Sequence, residues 1–532
     1  MNKNTIKNLP VVFVSYFVIL LLVYAATLYV SYAFFDDYSI LDKAQQNAWF
    51  GEILKAVCFE PNANTPVTKK ALGEFDHHIS NGRPFMGAYI YIAFKFLVHT
   101  IAALAWLRLF ALIGLALFAS LLFRWLKSHH WSSYAAFAIP CCIACSPPFV
   151  VYVVWAICSF FPFAAFLAGL SYVCLDRWRK DNQWFWLMLS ILFLWISLGI
   201  YQPVAMMFWL FAAVRWLSFG RFDQSALKSM GMDAAVAFLA MALAYLAFVK
   251  GLPHLLDIAP TVRSALVSEP FHKLWWFING PLLMSAHSWF TLKPNPWLAT
   301  LLLLFIFSGL WLNASSVRDA LLRTVLWIGL LLVSALPSLV VDFNDGSYRQ
   351  YAALTALLLL GLGHALSQLN HRKRFLACRR GFALERWAMA CLVIYSTLMA
   401  SYRTLHYFVV PQIREQELIT AALREAHAQD ATHLYIKADP MSLVQNPREE
   451  FGFLLSLYDP EHLWSMISFL WKEQYPHKPI HIHVDPSPLK VIDYQVKASY
   501  DPSINIEPLP DHAPANSVLI DANKIIGEAG KM

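Results

Sequence analysis

Long apolar segments recur along this chain, and their spacing constrains its fold more than any other feature. They cover residues 9–30, 101–123, 132–144, 155–175, 184–199, 204–216, 230–249, 297–312, 326–341, 351–366 and 387–410. A membrane-crossing helix needs about 20 largely apolar residues, and shorter stretches can tilt or lie buried among their neighbours. The series predicts an α-helical polytopic membrane protein with about 11 transmembrane helices. Composition agrees, because 58% of the 532 residues are hydrophobic and only 14% are charged, against about 25% charged in ordinary soluble domains. The first segment lacks a small-residue cleavage pattern and is expected to stay as a span.

The basic residues give the expected orientation. Lys3 and Lys7 precede the first segment, and Arg124, Lys127, Arg177, Arg179, Lys180, Arg215, Arg221, Lys228, Arg318, Arg323, Arg372, Lys373, Arg374, Arg379 and Arg380 fall in alternate loops. Cytoplasmic loops carry the excess of Lys and Arg, so the N-terminus is placed inside. The net charge of +7 is thereby a topology signal and calls for no nucleic acid. Loops at residues 31–100 and 250–296 are then outside. Within the second, residues 271–289 are apolar but would invert every later loop as a span, so they are expected to be re-entrant or interfacial. Residues 85–99 read as an interfacial helix.

After Pro411 the composition turns polar. Residues 414–430 and 460–471 read as helices, and 433–436, 479–484 and 518–520 as short strands. The chain therefore divides into a transmembrane domain, residues 1–410, and a small extracytoplasmic α/β domain, residues 411–532. Eight cysteines lie mostly in apolar stretches and form neither a disulfide framework nor a zinc pattern. There is no glycine-rich phosphate loop and no obvious internal repeat.

Polar residues of distinct chemistry gather in the loops assigned outside: Asp36, Asp37, Asp76, His77, His78, Asn81, Arg83, Tyr201, Gln202, His287, Lys293, Asn344, Asp345, Ser347, Tyr348 and Arg349. Adjacent carboxylates raise one another's pKa, which suits a general base. Guanidinium groups suit an anionic leaving group. Each has a plainer reading. Asp36-Asp37 can cap a helix, Arg83 can snorkel, Tyr201-Gln202-Pro203 can be a hairpin turn, and Arg349 can anchor the interface. Trp275 and Trp276 fit an interfacial aromatic belt. His77-His78 resembles a metal pair, but neighbouring imidazoles seldom share one ion.

Several short motifs together resemble a known family. They are Phe35-Asp36-Asp37, Asn81-Gly82-Arg83-Pro84, Ser146-Pro147-Pro148-Phe149, the run from Ser197 through Tyr201-Gln202-Pro203, and Ser347-Tyr348-Arg349. The acidic pair after the first span is similar to that of the membrane-embedded C-type (GT-C) glycosyltransferases. More narrowly, the set resembles the serotype-converting O-antigen glucosyltransferases, the GtrII-like family. The resemblance spans about residues 34–361 and implies inverting transfer of a sugar, usually glucose, from polyprenyl phosphate to O-antigen or another lipid-linked polysaccharide. It implies action at the outer face of the bacterial inner membrane, with a companion flippase and a polyprenyl-phosphate glucosyltransferase as supporting partners. Asp36 or Asp37 would be the base. Arg83 and Arg349, with Lys293 and His287 behind them, would meet the donor phosphate, and Asn81, Tyr201, Gln202, Asp345 and Tyr348 would contact substrate. A divalent cation (Mg or Mn) on Asp36, Asp37 or His77 is left open. Rival readings are a C-type transferase acting on lipid A or protein, a flippase or transporter, and a polysaccharide polymerase or ligase.

Overall fold

The structure, a computed structural model, describes residues 9–34, 36–46, 77–219, 224–256, 258, 265–289, 295–342, 344, 347–374, 381–437, 460–476, 478, 480–484 and 517–521. Phe35, Asp76, Lys293, Asp345, Cys58 and the basic stretch at Arg379-Arg380 lie outside these residues.

All eleven apolar segments fall on helix. Five helices among the described residues are long and apolar enough to cross a membrane: Leu104–Ser128, Ala156–Asp181, Gln224–Leu255, Tyr348–Gln368 and Glu385–Ala428. A sixth crossing arises if Ser133–Ala144 and Pro147–Val154, bent by 55° from each other, count as one broken span. Pro10–Val23, Trp184–Ile200, Gln202–Leu217 and Pro296–Leu312 are apolar but shorter. Trp184, Trp297, Trp311 and Trp387 stand exposed near helix ends, the place where an indole is stable between hydrocarbon and water. The chain is a helical, membrane-embedded protein.

Proline shapes the helical path at two sites. The first is Pro147-Pro148. Ser146 has extended backbone, and the prolines open a second helix, Pro147–Val154, in which every residue is buried. Proline is tolerated in a first turn because its missing N–H would be unpaired there anyway. The chain turns at Trp155 and the 3-10 segment Ala156–Phe160. The second is Pro411, which does not end the last helix. A π-helical stretch, Thr404–Val409, immediately precedes it, and helix resumes at Val410–Ala428. Proline removes one hydrogen bond and collides with the carbonyl a turn earlier, and a wider π turn absorbs both defects. The same device recurs before Pro253 in Tyr245–Gly251 and around Pro281 in Ile278–Leu282. Residues 270–287 thus form one helical run that is not among the long apolar helices.

Helix Leu104–Ser128 packs against the first helix and against Phe161–Asp181, which packs on Trp184–Ile200. Helices Pro296–Leu312 and Ala352–Arg374 approach so closely that a Cβ on Gly309 would lie 2.5 Å from the Ala365 backbone, the small-residue contact that lets membrane helices touch. Beyond the last helix, strands β1 (His433–Lys437), β2 (His481–Val484) and β3 (Ser517–Asp521) form a parallel sheet in the order β2-β1-β3. Helix Pro460–Gln474 lies between β1 and β2 in the chain, where a parallel pair requires a crossover. It packs against helix Asp36–Gln46, with Phe469 6.4 Å from the Tyr38 ring.

Candidate functional site

The two carboxylates start helix Asp36–Gln46. Asp37 is fully buried. Its Oδ2 accepts the Phe34 amide at 3.0 Å, and its Oδ1 accepts the Ile157 amide at 3.2 Å. Burial pushes its carboxyl up to about 7, against the opposing effects of Arg108 and the two amides. Asp36, one position earlier, is only partly buried.

Arg108 is the partner that the sequence reading missed. It lies in the apolar N-terminal part of helix Leu104–Ser128, fully buried, with one guanidinium nitrogen 4.0 Å from Asp37 Oδ2. It donates to the carbonyls of Val154 (3.2 Å), Thr27 (3.4 Å) and Tyr32 (2.7 Å), and its plane lies 3.7 Å from the Tyr32 ring centre. The available signal was its position: an ionisable residue inside a span is rare and tends to be functional.

The turn after Val154 is the hub. Trp155 meets Phe34 edge-on at 5.1 Å and carries the Arg349 guanidinium 4.8 Å from its ring centre. Tyr152 donates its hydroxyl to the Arg349 carbonyl. Tyr152 packs on Phe161 (5.1 Å), Phe161 stacks on Tyr201 (4.1 Å, 3° between planes), and Arg83 lies over the Tyr201 ring at 4.6 Å. One aromatic path therefore links the two cations.

Arg83 is set by a second small network. Its Nε donates to Gln202 Oε1 at 3.2 Å, while the Gln202 amide donates to the carbonyls of Asn81 (3.1 Å) and Gly82 (2.8 Å). Gly82 has φ +69°, and a Cβ there would meet Val249 at 2.9 Å and the Gln202 amide at 3.2 Å, so both backbone and space require glycine. Asn81 donates to the His77 carbonyl at 2.7 Å. The run around residues 81–84 and the Tyr201-Gln202-Pro203 turn are thus one unit.

The remaining predicted residues are placed nearby to different degrees. Tyr348 is buried, and helix Leu283–His287 with its buried His287 packs against the Tyr348–Tyr351 turn. Lys273 was missed. It is buried, donates to Asn344 Oδ1 at 2.6 Å and to the Asp342 carbonyl at 3.3 Å, and lies 4.3 Å from the Trp276 ring centre. Burial pulls its ammonium below the usual lysine range, and Asp342 opposes this. It fastens helix Pro270–Phe277 to the stretch before Arg349, alongside an antiparallel bridge between Leu266 and Val341. Trp275 is exposed, in keeping with a belt position.

No group of three His, Cys, Asp or Glu side chains that could hold a metal ion occurs among the described residues. The His77 and His78 rings are 5.5 Å apart and nearly perpendicular. The arrangement offers a partly buried carboxylate next to the buried Asp37 and, along the aromatic path from the same turn, two ring-mounted guanidinium groups. No protein-family model matches this chain, and no curated protein matches it.

Proposed function

We propose that the chain is an integral membrane glycosyltransferase of the C-type, GtrII-like kind. It moves a sugar, most simply glucose, from polyprenyl phosphate to a hydroxyl of O-antigen or another lipid-linked polysaccharide. The observation that carries this reading is the gathering of Asp37 on Ile157, Arg349 on Trp155 and, through Tyr201 on Phe161, Arg83 around the turn at residues 155–161, with Asp36 next to Asp37 in the chain. A carboxylate that accepts a hydroxyl proton and cations that stabilise a departing phosphate are the two functions such a transfer needs. In this reading the shorter apolar helices and helix Val317–Ser334 complete eleven spans of the inner membrane, with the N-terminus cytoplasmic. Residues 411–532 form a periplasmic α/β domain over the first outer loop. The packing of helix Pro460–Gln474 on helix Asp36–Gln46 supports that placement.

The test uses purified full-length protein, polyprenyl-phosphate-linked glucose and a lipid-linked polysaccharide, and follows release of polyprenyl phosphate with and without chelator. Release that requires acceptor and disappears in the Asp36→Asn, Asp37→Asn double variant is expected. Full release by that variant would remove the carboxylates from the mechanism. No release with any donor sugar would favour the transporter reading.

A further inference from the structure

The two adjacent acids differ in their surroundings. Both Asp37 oxygens are engaged by backbone amides, those of Phe34 and Ile157, and the side chain has no exposed surface. A carboxylate in that state cannot approach an acceptor hydroxyl without first releasing the turn it holds. Asp36 keeps exposed surface at the same helix start. Arg108 meanwhile ties together the carbonyls of Thr27, Tyr32 and Val154, the chain ends that flank the Asp37 carboxylate. The planar fork of an arginine holds such a set rigidly, and a lysine cannot reproduce it. Trp155 lies between this clamp and Arg349, so the position of the clamp is passed to the cation.

We infer that the pair is divided: Asp36 is the group that takes the acceptor proton, whereas Asp37 and Arg108 form a clamp that positions the Trp155 turn and, through it, Arg349. The first half rests on the transferase reading, and the clamp stands without it. In the step itself, the Asp36 carboxylate accepts the hydroxyl proton as the acceptor oxygen bonds to the anomeric carbon. The bond from that carbon to the phosphate oxygen breaks, and its electron pair leaves on polyprenyl phosphate beside Arg349 and Arg83. The clamp residues take part in no bond change.

The experiment compares Asp36→Asn, Asp37→Asn, Arg108→Lys, Arg108→Met and the double variant Asp37→Leu with Arg108→Met, each as the full chain. Asp36→Asn should lose roughly 10³-fold in kcat while melting with the wild type, and its residual rate should no longer rise with pH. Asp37→Asn should keep kcat to within about tenfold and keep the acidic limb of the pH profile, but raise the donor KM by roughly three- to tenfold, because Arg349 is displaced. Arg108→Lys should raise the donor KM in the same way, which mere loss of folded protein would not do. Arg108→Met should melt lower than the double variant, since it alone leaves a buried carboxylate without its cation. A dead, well-folded Asp37→Asn beside an active Asp36→Asn overturns the division. Melting shifts that simply add in the double variant overturn the clamp. A wild type that releases no polyprenyl phosphate overturns the role of Asp36 together with the transferase reading, and leaves the clamp to be decided by the melting comparison.

Discussion

Two buried Asp–Arg pairs lie at opposite ends of helix Phe161–Asp181, and they are built differently. At its C-terminal end Arg179 pairs directly with Asp233, which is fully buried and also accepts from Tyr172 (3.0 Å) and Trp216 (2.9 Å). Asp176 and Arg215 pair beside it at 3.4 Å. At the other end, roughly 30 Å away for a helix of 21 residues rising 1.5 Å per residue, Arg108 stands 4.0 Å from Asp37 and bonds to three carbonyls instead. The first pair is closed upon itself, and side-chain donors alone satisfy its carboxylate. The second organises backbone, and the residues it organises carry a partly buried carboxylate and a ring-mounted cation. Burial of a charge therefore does not by itself mark a site. What distinguishes the two ends is whether the surrounding groups satisfy one another or hold backbone that carries further polar groups.

The comparison can be broken at either end. The largest effect is expected from Asp233→Leu, which strands Arg179 and removes the acceptor of Tyr172 and Trp216. Breaking one partner of a buried pair costs about 3–5 kcal/mol, so thermal melting should fall steeply while the donor KM of surviving protein stays unchanged. A changed KM would mean that the two ends are coupled. Arg349→Ala tests the other end. Loss of a charge-assisted contact to phosphate, worth about 1.5–3 kcal/mol, should raise the donor KM roughly 10- to 100-fold with little change in melting, as measured by steady-state kinetics and a melting curve.

Acid titration gives a third, smaller contrast. The folded Asp37 carboxyl titrates at about 7, above the unfolded value of about 4. The protonated form thus favours the fold, and its contribution is fully present below pH 4 and lost as pH rises through 7. Between pH 5 and 7 the loss is about 2 kcal/mol. Melting curves of the wild type should shift downward over that interval, and those of Asp37→Asn should not. An equal slope in both would assign the titration to another group. Gly82→Ala should cost the least, roughly 1–2 kcal/mol for a Cβ at φ +69°. It should also loosen the Gln202 hook on Arg83, visible as a modest rise in donor KM.

Much of this architecture was readable from residue order. The apolar segments at 101–123 and 351–366, the turn at Tyr201-Gln202-Pro203, and the strands near 433, 481 and 518 all follow from local composition and period, and the structure places them within a few residues. The acidic pair and the arginines at 83 and 349 also stood out, because charge in an apolar chain is conspicuous. Less legible were the boundaries at proline. Pro147 bends a buried pair of helices and Pro411 continues one, since a neighbouring π turn or a first-turn position removes the usual penalty.

The sequence by itself determined which segments are helical, which residues are too apolar to face water and where cations are scarce, because these depend on neighbours within a few positions. Only the tertiary structure decided that Asp37 turns inward to Ile157, 120 residues away, while Asp36 keeps exposed surface. It also decided that Arg108 serves three distant carbonyls and that Trp155 supports Arg349. A buried charge takes its role from the groups that compensate it, and those come from helices that meet only when the bundle is assembled.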